Sequence, residues 1–163
     1  MVGSGSRKDG VTMYHYVEDK NILKGAQSAC SILMSELEEE LREKGINSQF
    51  FLVGSGARNM VTQNEKQPID FDYNLTIISC NDFNNCKQIK EQIRKAFNVV
   101  LKESNLKDCD DSTSALTTKR LCLRDNKSIE FSIDVCIVTQ ANNGNWLRLK
   151  HEKASDTHSD KYY

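Results

Sequence analysis

The sequence predicts an α/β (α+β) fold in which a mixed β-sheet is flanked by helices. Two segments carry apolar residues at steps of three and four, which is the spacing of amphipathic helices. The segment from Ile69 to Ile77 alternates apolar and polar residues, as a strand with one buried face does. The order helix, strand, strand, helix, strand, strand favours a sheet that mixes strand directions.

Two helices are expected. The first extends from about Glu18 to Lys44 and ends at Gly45, a residue typical of helix C-termini. The second extends from about Asn84 to Ser104. Without interleaved aromatic residues, its basic side is interpreted as a solvated face, with a nucleic-acid surface as the alternative. That side carries Lys87, Lys90, Arg94, Lys95 and Lys102.

The strands are expected before and after the second helix. A polar loop, Asn64–Pro68, precedes the alternating strand, and Asp125–Lys127 is expected to form a hairpin turn. The runs expected to be strands are Gln49–Val53, Ile69–Ile77, Ser114–Leu123, Ile129–Val138 and the short Trp146–Leu149.

The length and charge of the chain limit its class. Its 163 residues fit one domain, which we place at residues 18–150, between a loosely ordered segment 1–17 and a polar tail 151–163. The net charge of −1 argues against a protein that coats DNA. Without a run long enough to span a bilayer or a signal peptide, we expect a cytoplasmic protein that is not bound to membranes.

The six cysteines do not indicate a metal site or a disulfide framework, because none form a Cys-x-x-Cys pair. We expect free, mostly buried thiols.

Three carboxylates interrupt the predicted strands. Asp70 and Asp72 are two residues apart, so they share the face opposite Phe71 and Tyr73. Asp134 lies inside an apolar strand in the same way. Like charges on one face repel unless a cation joins them, and three carboxylates suit Mg²⁺. A solvent-facing strand is the alternative, which explains one such residue better than three.

A glycine turn follows the strand that ends at Val53. Gly54, Ser55 and Gly56 offer backbone N–H groups and a hydroxyl to phosphate oxygens, and Arg58 adds a positive charge. An ordinary tight turn between a strand and a helix would have the same sequence.

Three other motifs fail on their spacing. A dinucleotide-binding motif that starts at Gly54 and Gly56 requires a third glycine, but Asn59 occupies that position. An EF-hand reading that starts at Asp70 places Leu75 where Gly is required and Asn81 where Glu is required. No Gly-Lys-Ser/Thr triplet is present, so a Walker A loop is excluded.

The remaining pattern resembles the DNA polymerase β-like nucleotidyltransferase superfamily, nearest its cGAS/DncV-like and oligoadenylate-synthetase-like branches. The residues that carry the resemblance are Val53-Gly54-Ser55, Ile69-Asp70-Phe71-Asp72 and Ile133-Asp134-Val135, preceded by a long helix. The linker between Ser55 and Asp70 is somewhat long for the family.

The resemblance implies a polymerase β-like palm fold and transfer of a nucleoside monophosphate from an NTP, with ATP preferred, to an acceptor hydroxyl. Asp70, Asp72 and Asp134 would be the catalytic, metal-binding residues for two Mg²⁺ ions, with Mn²⁺ as the alternative. Gly54, Ser55 and Gly56 would bind the phosphates; Arg58 and Lys119 are weaker candidates for phosphate contacts, with a surface charge as the alternative for each.

The expected enzyme is short after its third carboxylate. In larger relatives a C-terminal helical region covers the base and selects the acceptor, so the tail is expected to lead into a missing helical region or a protein partner is expected to complete the site. Two alternatives stay open: an antitoxin-like interaction module on the same fold, and an unrelated α/β binding domain.

Overall fold

The computed structural model describes residues 14–16, 20–53, 62–64, 69–122, 130–155 and 159–163. It confirms the predicted fold class, a mixed sheet flanked by helices. In chain order the elements are β1 (Tyr14–Tyr16), α1 (Lys20–Glu43), β2 (Asn47–Val53), β3 (Thr62–Asn64), β4 (Ile69–Ser79), α2 (Cys86–Glu103), β5 (Asp110–Asp111), β6 (Leu116–Thr117), β7 (Leu121–Cys122), β8 (Glu130–Gln140), β9 (Trp146–Arg148), β10 (His151–Glu152) and β11 (Lys161–Tyr162).

Both helices end in the same hydrogen-bonded motif. At the end of α1, the Ile46 N–H donates to the Leu41 carbonyl and the Gly45 N–H donates to the Arg42 carbonyl. Gly45 has a φ of 84°, the left-handed conformation that this Schellman motif requires. Asn105, with a φ of 61°, takes the corresponding place after α2. The start of α2 is capped by Asn85, whose side chain accepts a hydrogen bond from the Gln88 N–H.

Within the described residues, seven strands form one mixed sheet around β8. β4 lies between β2, to which it is antiparallel, and β8, to which it is parallel. On its other side β8 pairs antiparallel with β6, β7 and β9, and β5 pairs with β6 at the edge. The two longest strands, β4 and β8, therefore lie side by side at the centre.

The hydrophobic core lies between one face of this sheet and the two helices. Alternate residues of β4 are buried from Ile69 to Ile77, and Ile133, Val135 and Ile137 of β8 continue the same layer. The apolar stripes of α1 and α2 close the core from the other side. Because side chains alternate along a strand, the polar residues of β4 lie on the opposite face.

The prediction of one strand over Ser114–Leu123 is wrong, because a β-bulge divides it. Thr117 is paired with Asp134 and Leu121 is paired with Phe131, so three residues, 118–120, lie opposite two, 132–133. Within the bulge, the Ile133 N–H donates to the Thr118 hydroxyl at 2.9 Å instead of to a backbone carbonyl. The predicted turn Asp125–Lys127 lies outside the described residues.

Two small sheets involve segments in which no regular structure was expected. β1, within the first 17 residues, pairs with β3. In the C-terminal tail β10 pairs with β11, and the His151 ring stacks on the Tyr162 ring at 4.1 Å. The His151 nitrogens lie 3.3 Å from Asp111 Oδ2 and 3.0 Å from Asp160 Oδ2. These contacts attach the tail to β5.

The six cysteines are free thiols, as predicted. Only Cys30 and Cys136 are fully buried, and burial raises the pKa of the Cys30 thiol to about 12. Cys122 is exposed, so the expectation of mostly buried thiols was too broad. No helix in the described part of the chain is long and apolar enough to cross a membrane.

Candidate functional site

The central strands bring the three predicted carboxylates onto one face. In the parallel register of β4 and β8, Asp72 is the partner of Asp134, and Asp70 is the partner of Ser132. Asp70 and Asp72 are exposed and Asp134 is half-buried, all on the side of the sheet opposite the helices. The acidic face is thus built from two segments that are distant in the sequence.

The surroundings of Asp72 favour the protonated form of its carboxyl group. The pKa of Asp72 is raised, first by burial, then by the charge of Asp134 and a hydrogen bond between the two groups, and then by the charge of Asp70. The positive charge of Arg148 opposes this shift. The face therefore carries more negative charge than its own residues neutralise.

Two hydroxyl groups orient the carboxylates. Ser132 Oγ donates a 2.7 Å hydrogen bond to Asp70 Oδ1, and Thr117 Oγ1 donates a 2.7 Å hydrogen bond to Asp134 Oδ1. Sequence reasoning missed both residues. Ser132 could have been found, because it lies two residues before Asp134 on the same face of a strand. Thr117 could not, because its position depends on the pairing of β6 with β8.

Arg148 is the third residue that sequence reasoning missed. It is the register partner of Val138, which places it on the face that carries the carboxylates. Its guanidinium donates a hydrogen bond to Sγ of Cys136, which lies two positions after Asp134 in β8. Lys119 forms a 2.6 Å ion pair with Asp110, both of them exposed, which favours a surface role over phosphate binding.

The donor chemistry of this face suits a divalent cation. Carboxylate and hydroxyl oxygens are hard ligands of the kind that Mg²⁺ takes, and a cation would relieve the repulsion that raises the pKa of Asp72. Across the described residues, however, no three His, Cys, Asp or Glu side chains converge closely enough to hold a metal ion. Coordination of one ion by all three carboxylates would therefore require their side chains to move closer together.

The predicted phosphate-binding residues Gly54, Ser55, Gly56 and Arg58 lie outside the described residues. The chain enters that segment from Val53, whose register partner is Asp72.

One lysine of the predicted basic face of α2 is not exposed to solvent. Lys90 is 1% exposed, and its Nζ lies 2.9 Å from Asp111 Oδ1, so it is a buried ion-pair residue and not a solvated cation.

Comparison with solved structures identifies the fold. CdnG, a CD-NTase of Bradyrhizobium diazoefficiens solved with GTP, superposes with a TM-score of 0.55 and 14% identity, over 87% of this chain and 38% of CdnG. Vibrio cholerae DncV, a cyclic AMP-GMP synthase and prokaryotic cGAS homologue, has a TM-score of 0.49 and 14% identity, over 86% of this chain and 45% of DncV. CdnC of E. coli MS115-1, solved with ATP, has a TM-score of 0.47 and 16% identity, over 80% of this chain and 43% of CdnC.

The match to CdnG shows that the chain has the nucleotidyltransferase fold of the CD-NTases, as the sequence resemblance predicted. No protein-family model matches the sequence, and no curated protein matches it. The chain spans less than half the length of the structures it matches.

Proposed function

We propose that this chain is a Mg²⁺-dependent nucleotidyltransferase domain that transfers a nucleoside monophosphate from an NTP to an acceptor hydroxyl. The observation that carries the proposal is the pairing of Asp72 with Asp134 across parallel strands, with Asp70 on the same exposed face. In the reaction, a bond forms between the acceptor oxygen and the α-phosphorus, and the bond from that phosphorus to pyrophosphate breaks.

The three carboxylates would have different roles. Asp70 and Asp72 would hold two Mg²⁺ ions, and Asp134 would hold the one on the acceptor side, where it favours the deprotonated acceptor hydroxyl. When bound, the ions supply neutralisation of the charge on the phosphate oxygens. Thr117 fixes the orientation of Asp134 through its 2.7 Å hydrogen bond. The segment Gly54–Arg58 would bind the β- and γ-phosphates.

The sequence resemblance favours ATP, and GTP is the second candidate because CdnG was solved with GTP. Isothermal titration of each NTP, with and without Mg²⁺, should show affinity that depends on Mg²⁺. Asp70→Asn/Asp72→Asn should abolish that dependence, and Asp110→Asn, an exposed carboxylate paired with Lys119, should preserve it. Equal, Mg²⁺-insensitive affinity in all three proteins would overturn the proposal.

The second candidate function is a partner-completed interaction module on the same fold. It is favoured by the absence, within the described residues, of a preformed three-ligand metal arrangement. It predicts a protein partner whose binding survives Asp70→Asn/Asp72→Asn/Asp134→Asn. Partner binding that requires these carboxylates would contradict it.

A further inference from the structure

His151, on β10, is a buried histidine held between two carboxylates. Its Nδ1 lies 3.3 Å from Asp111 Oδ2, and its Nε2 lies 3.0 Å from Asp160 Oδ2. The ring also stacks on the Tyr162 ring of β11 at 4.1 Å. Because only 5% of His151 is exposed, the two carboxylates are its hydrogen-bond partners. The proposed reaction uses none of these residues.

The two contacts together require both ring nitrogens of His151 to carry a proton. An ionised carboxylate only accepts hydrogen bonds, and a neutral imidazole has one N–H group to donate. The neutral ring would therefore leave one carboxylate facing a nitrogen lone pair. The hydrogen bond with His151 is the largest cause that lowers the pKa of Asp160, followed by the one from the Ala154 N–H. Asp160 is therefore ionised at neutral pH, and the imidazolium satisfies both sides.

The charges around the ring come from β5, from α2 and from the residue before β11. On β5, Asp111 also lies 2.9 Å from Nζ of Lys90, a buried residue of α2. Since Lys90 already pairs with Asp111, the charge of Asp160 is balanced by His151 only when the ring is protonated. The other charged residues of α2 that act on Asp160 or Tyr162 are Lys87, Glu91 and Arg94.

We propose that His151 is a pH-sensitive latch that holds the C-terminal strand pair, β10 and β11, against β5 and α2. In its doubly protonated form the ring bridges Asp111 on the sheet edge to Asp160 beside β11. When the ring loses one proton to solvent, one of these two bridges is lost. The His151 N–H donates to the Thr113 carbonyl at 2.8 Å across the same interface, and this bond opens when the strand pair separates.

Release of the strand pair also opens a cavity of about 340 Å³. Tyr163, directly after β11, lines this cavity together with Phe83 and Leu147. Two backbone hydrogen bonds join Tyr163 to Lys150, at 2.6 and 2.9 Å, so Tyr163 moves with the strand pair. The latch therefore controls access to an apolar cavity that the proposed reaction does not use.

The strand pair should be held most firmly at mildly acidic pH. Because the docked state holds the second proton of His151, docking weakens as pH rises through the range in which histidine loses that proton. Asp160 acts in the opposite sense. Its pKa is lowered from 3.8, so its contribution is present above that value and is lost as pH falls through the lowered one. Docking should therefore be strongest between about pH 4 and 6.

NMR measurement of amide exchange with water tests the latch through the N–H of residue 151, which crosses the interface. Its protection factor, corrected for the intrinsic exchange rate, should fall at least about tenfold between pH 5.5 and 8.5, as expected for loss of one charged hydrogen bond. His151→Phe keeps a ring that can stack on Tyr162 and removes the titrating nitrogens, so its protection factor should not depend on pH. The matched control is His15→Asn/His158→Asn, which replaces the other two histidines and should behave like the native chain.

Asp160→Asn provides a second variant at an exposed position, where the fold is not at risk. Its amide can donate to the neutral ring as well as accept from it, so the pH dependence should be lost. An unchanged pH dependence in Asp160→Asn or in His151→Phe would overturn the inference, as would a constant protection factor in the native chain. The amides of β8 should stay protected throughout. If they lose protection together with residue 151, the whole fold opens and no latch is present.

The inference is independent of the proposed function, because none of these measurements involves a nucleotide or Mg²⁺. Loss of Mg²⁺-dependent NTP binding would leave the latch standing, and a pH-independent strand pair would leave the nucleotidyltransferase proposal standing.

Discussion

Asp72 and Asp134 lie directly opposite each other in adjacent parallel strands, on the sheet face away from the helices. Partial burial and the charge of Asp134 both raise the pKa of Asp72. The pair is therefore a source of local instability that the fold tolerates. Such a cost is common where side chains are arranged for function and not for stability.

Asp72→Asn should stabilise the chain at neutral pH. Because the pKa of Asp72 is raised on folding, the folded state binds more protons than the unfolded state between the ordinary value of 3.8 and the raised value. Stability therefore falls as pH rises through that window, and the amide removes this loss. We expect the Tm at pH 7 to increase by about 1–2 °C after allowing for solvent screening, with the increase disappearing below about pH 3.5. Thermal unfolding from pH 3 to 8 measures this.

Mg²⁺ provides the control for that experiment. A cation that binds the folded state alone raises the Tm of the native chain, and the Asp72→Asn variant should respond less. An equal Tm increase in both proteins would show that Mg²⁺ acts elsewhere. A lower Tm in the variant at pH 7 would show that the Asp72–Asp134 contact is stabilising.

Thr117→Val tests whether the hydroxyl on β6 orients Asp134. The substitution keeps the size of the side chain and removes the 2.7 Å hydrogen bond to Asp134 Oδ1. A hydrogen bond to a charged group contributes about 1.5–3 kcal/mol, so Mg²⁺-dependent NTP affinity should fall about tenfold. Thr117→Ser, which retains the hydroxyl, should restore it. If the two variants bind alike, the hydroxyl has no orienting role.

Much of the fold follows from local patterns. The alternation of apolar and polar residues predicted that Asp70 and Asp72 share one face of β4, as they do. The apolar spacing predicted that α1 ends at Gly45, where the structure has a left-handed residue. The partnership of Asp72 with Asp134 is different, because register between parallel strands is set by packing that no local pattern encodes.

The unpredicted features depend on contacts between distant segments. The bulge that divides β6 from β7 arises where Thr118 replaces a backbone acceptor for Ile133. Lys90 occurs among the basic residues that were expected to be solvated, but its side chain is buried in an ion pair with Asp111. Trp146 and Phe51 come to line one cavity only because β4 and β8 lie between their strands.

Gly45→Ala should destabilise the chain by about 1–2 kcal/mol, the cost of a left-handed conformation for a residue with a Cβ atom. The cost is conformational, since an added Cβ would come no closer than 3.8 Å to the Asn81 side chain. Gly45→Asn should lose less, because Asn105 already adopts this conformation after α2. Urea unfolding measures the three proteins. Equal stability of the alanine and asparagine variants would contradict the conformational explanation.

Lys90→Met should destabilise the fold more than substitution of an exposed lysine on the same helix. Lys90 Nζ contacts Asp111 Oδ1 at 2.9 Å and donates to the Ser112 carbonyl at 2.9 Å, and removing it leaves a partly buried carboxylate without its main counter-charge. Breaking such a pair costs about 3 kcal/mol.

The matched control for this substitution is Lys87→Met, an exposed lysine of the same helix, which should change stability by less than about 0.5 kcal/mol. Asp111→Asn in the Lys90→Met background should recover part of the loss, because no unpaired charge then remains. Urea unfolding of the double-mutant cycle measures the coupling. If the two substitutions add independently, the ion pair does not hold α2 to β5. In that case the packing of the Lys90 methylene chain, and not its charge, accounts for its burial.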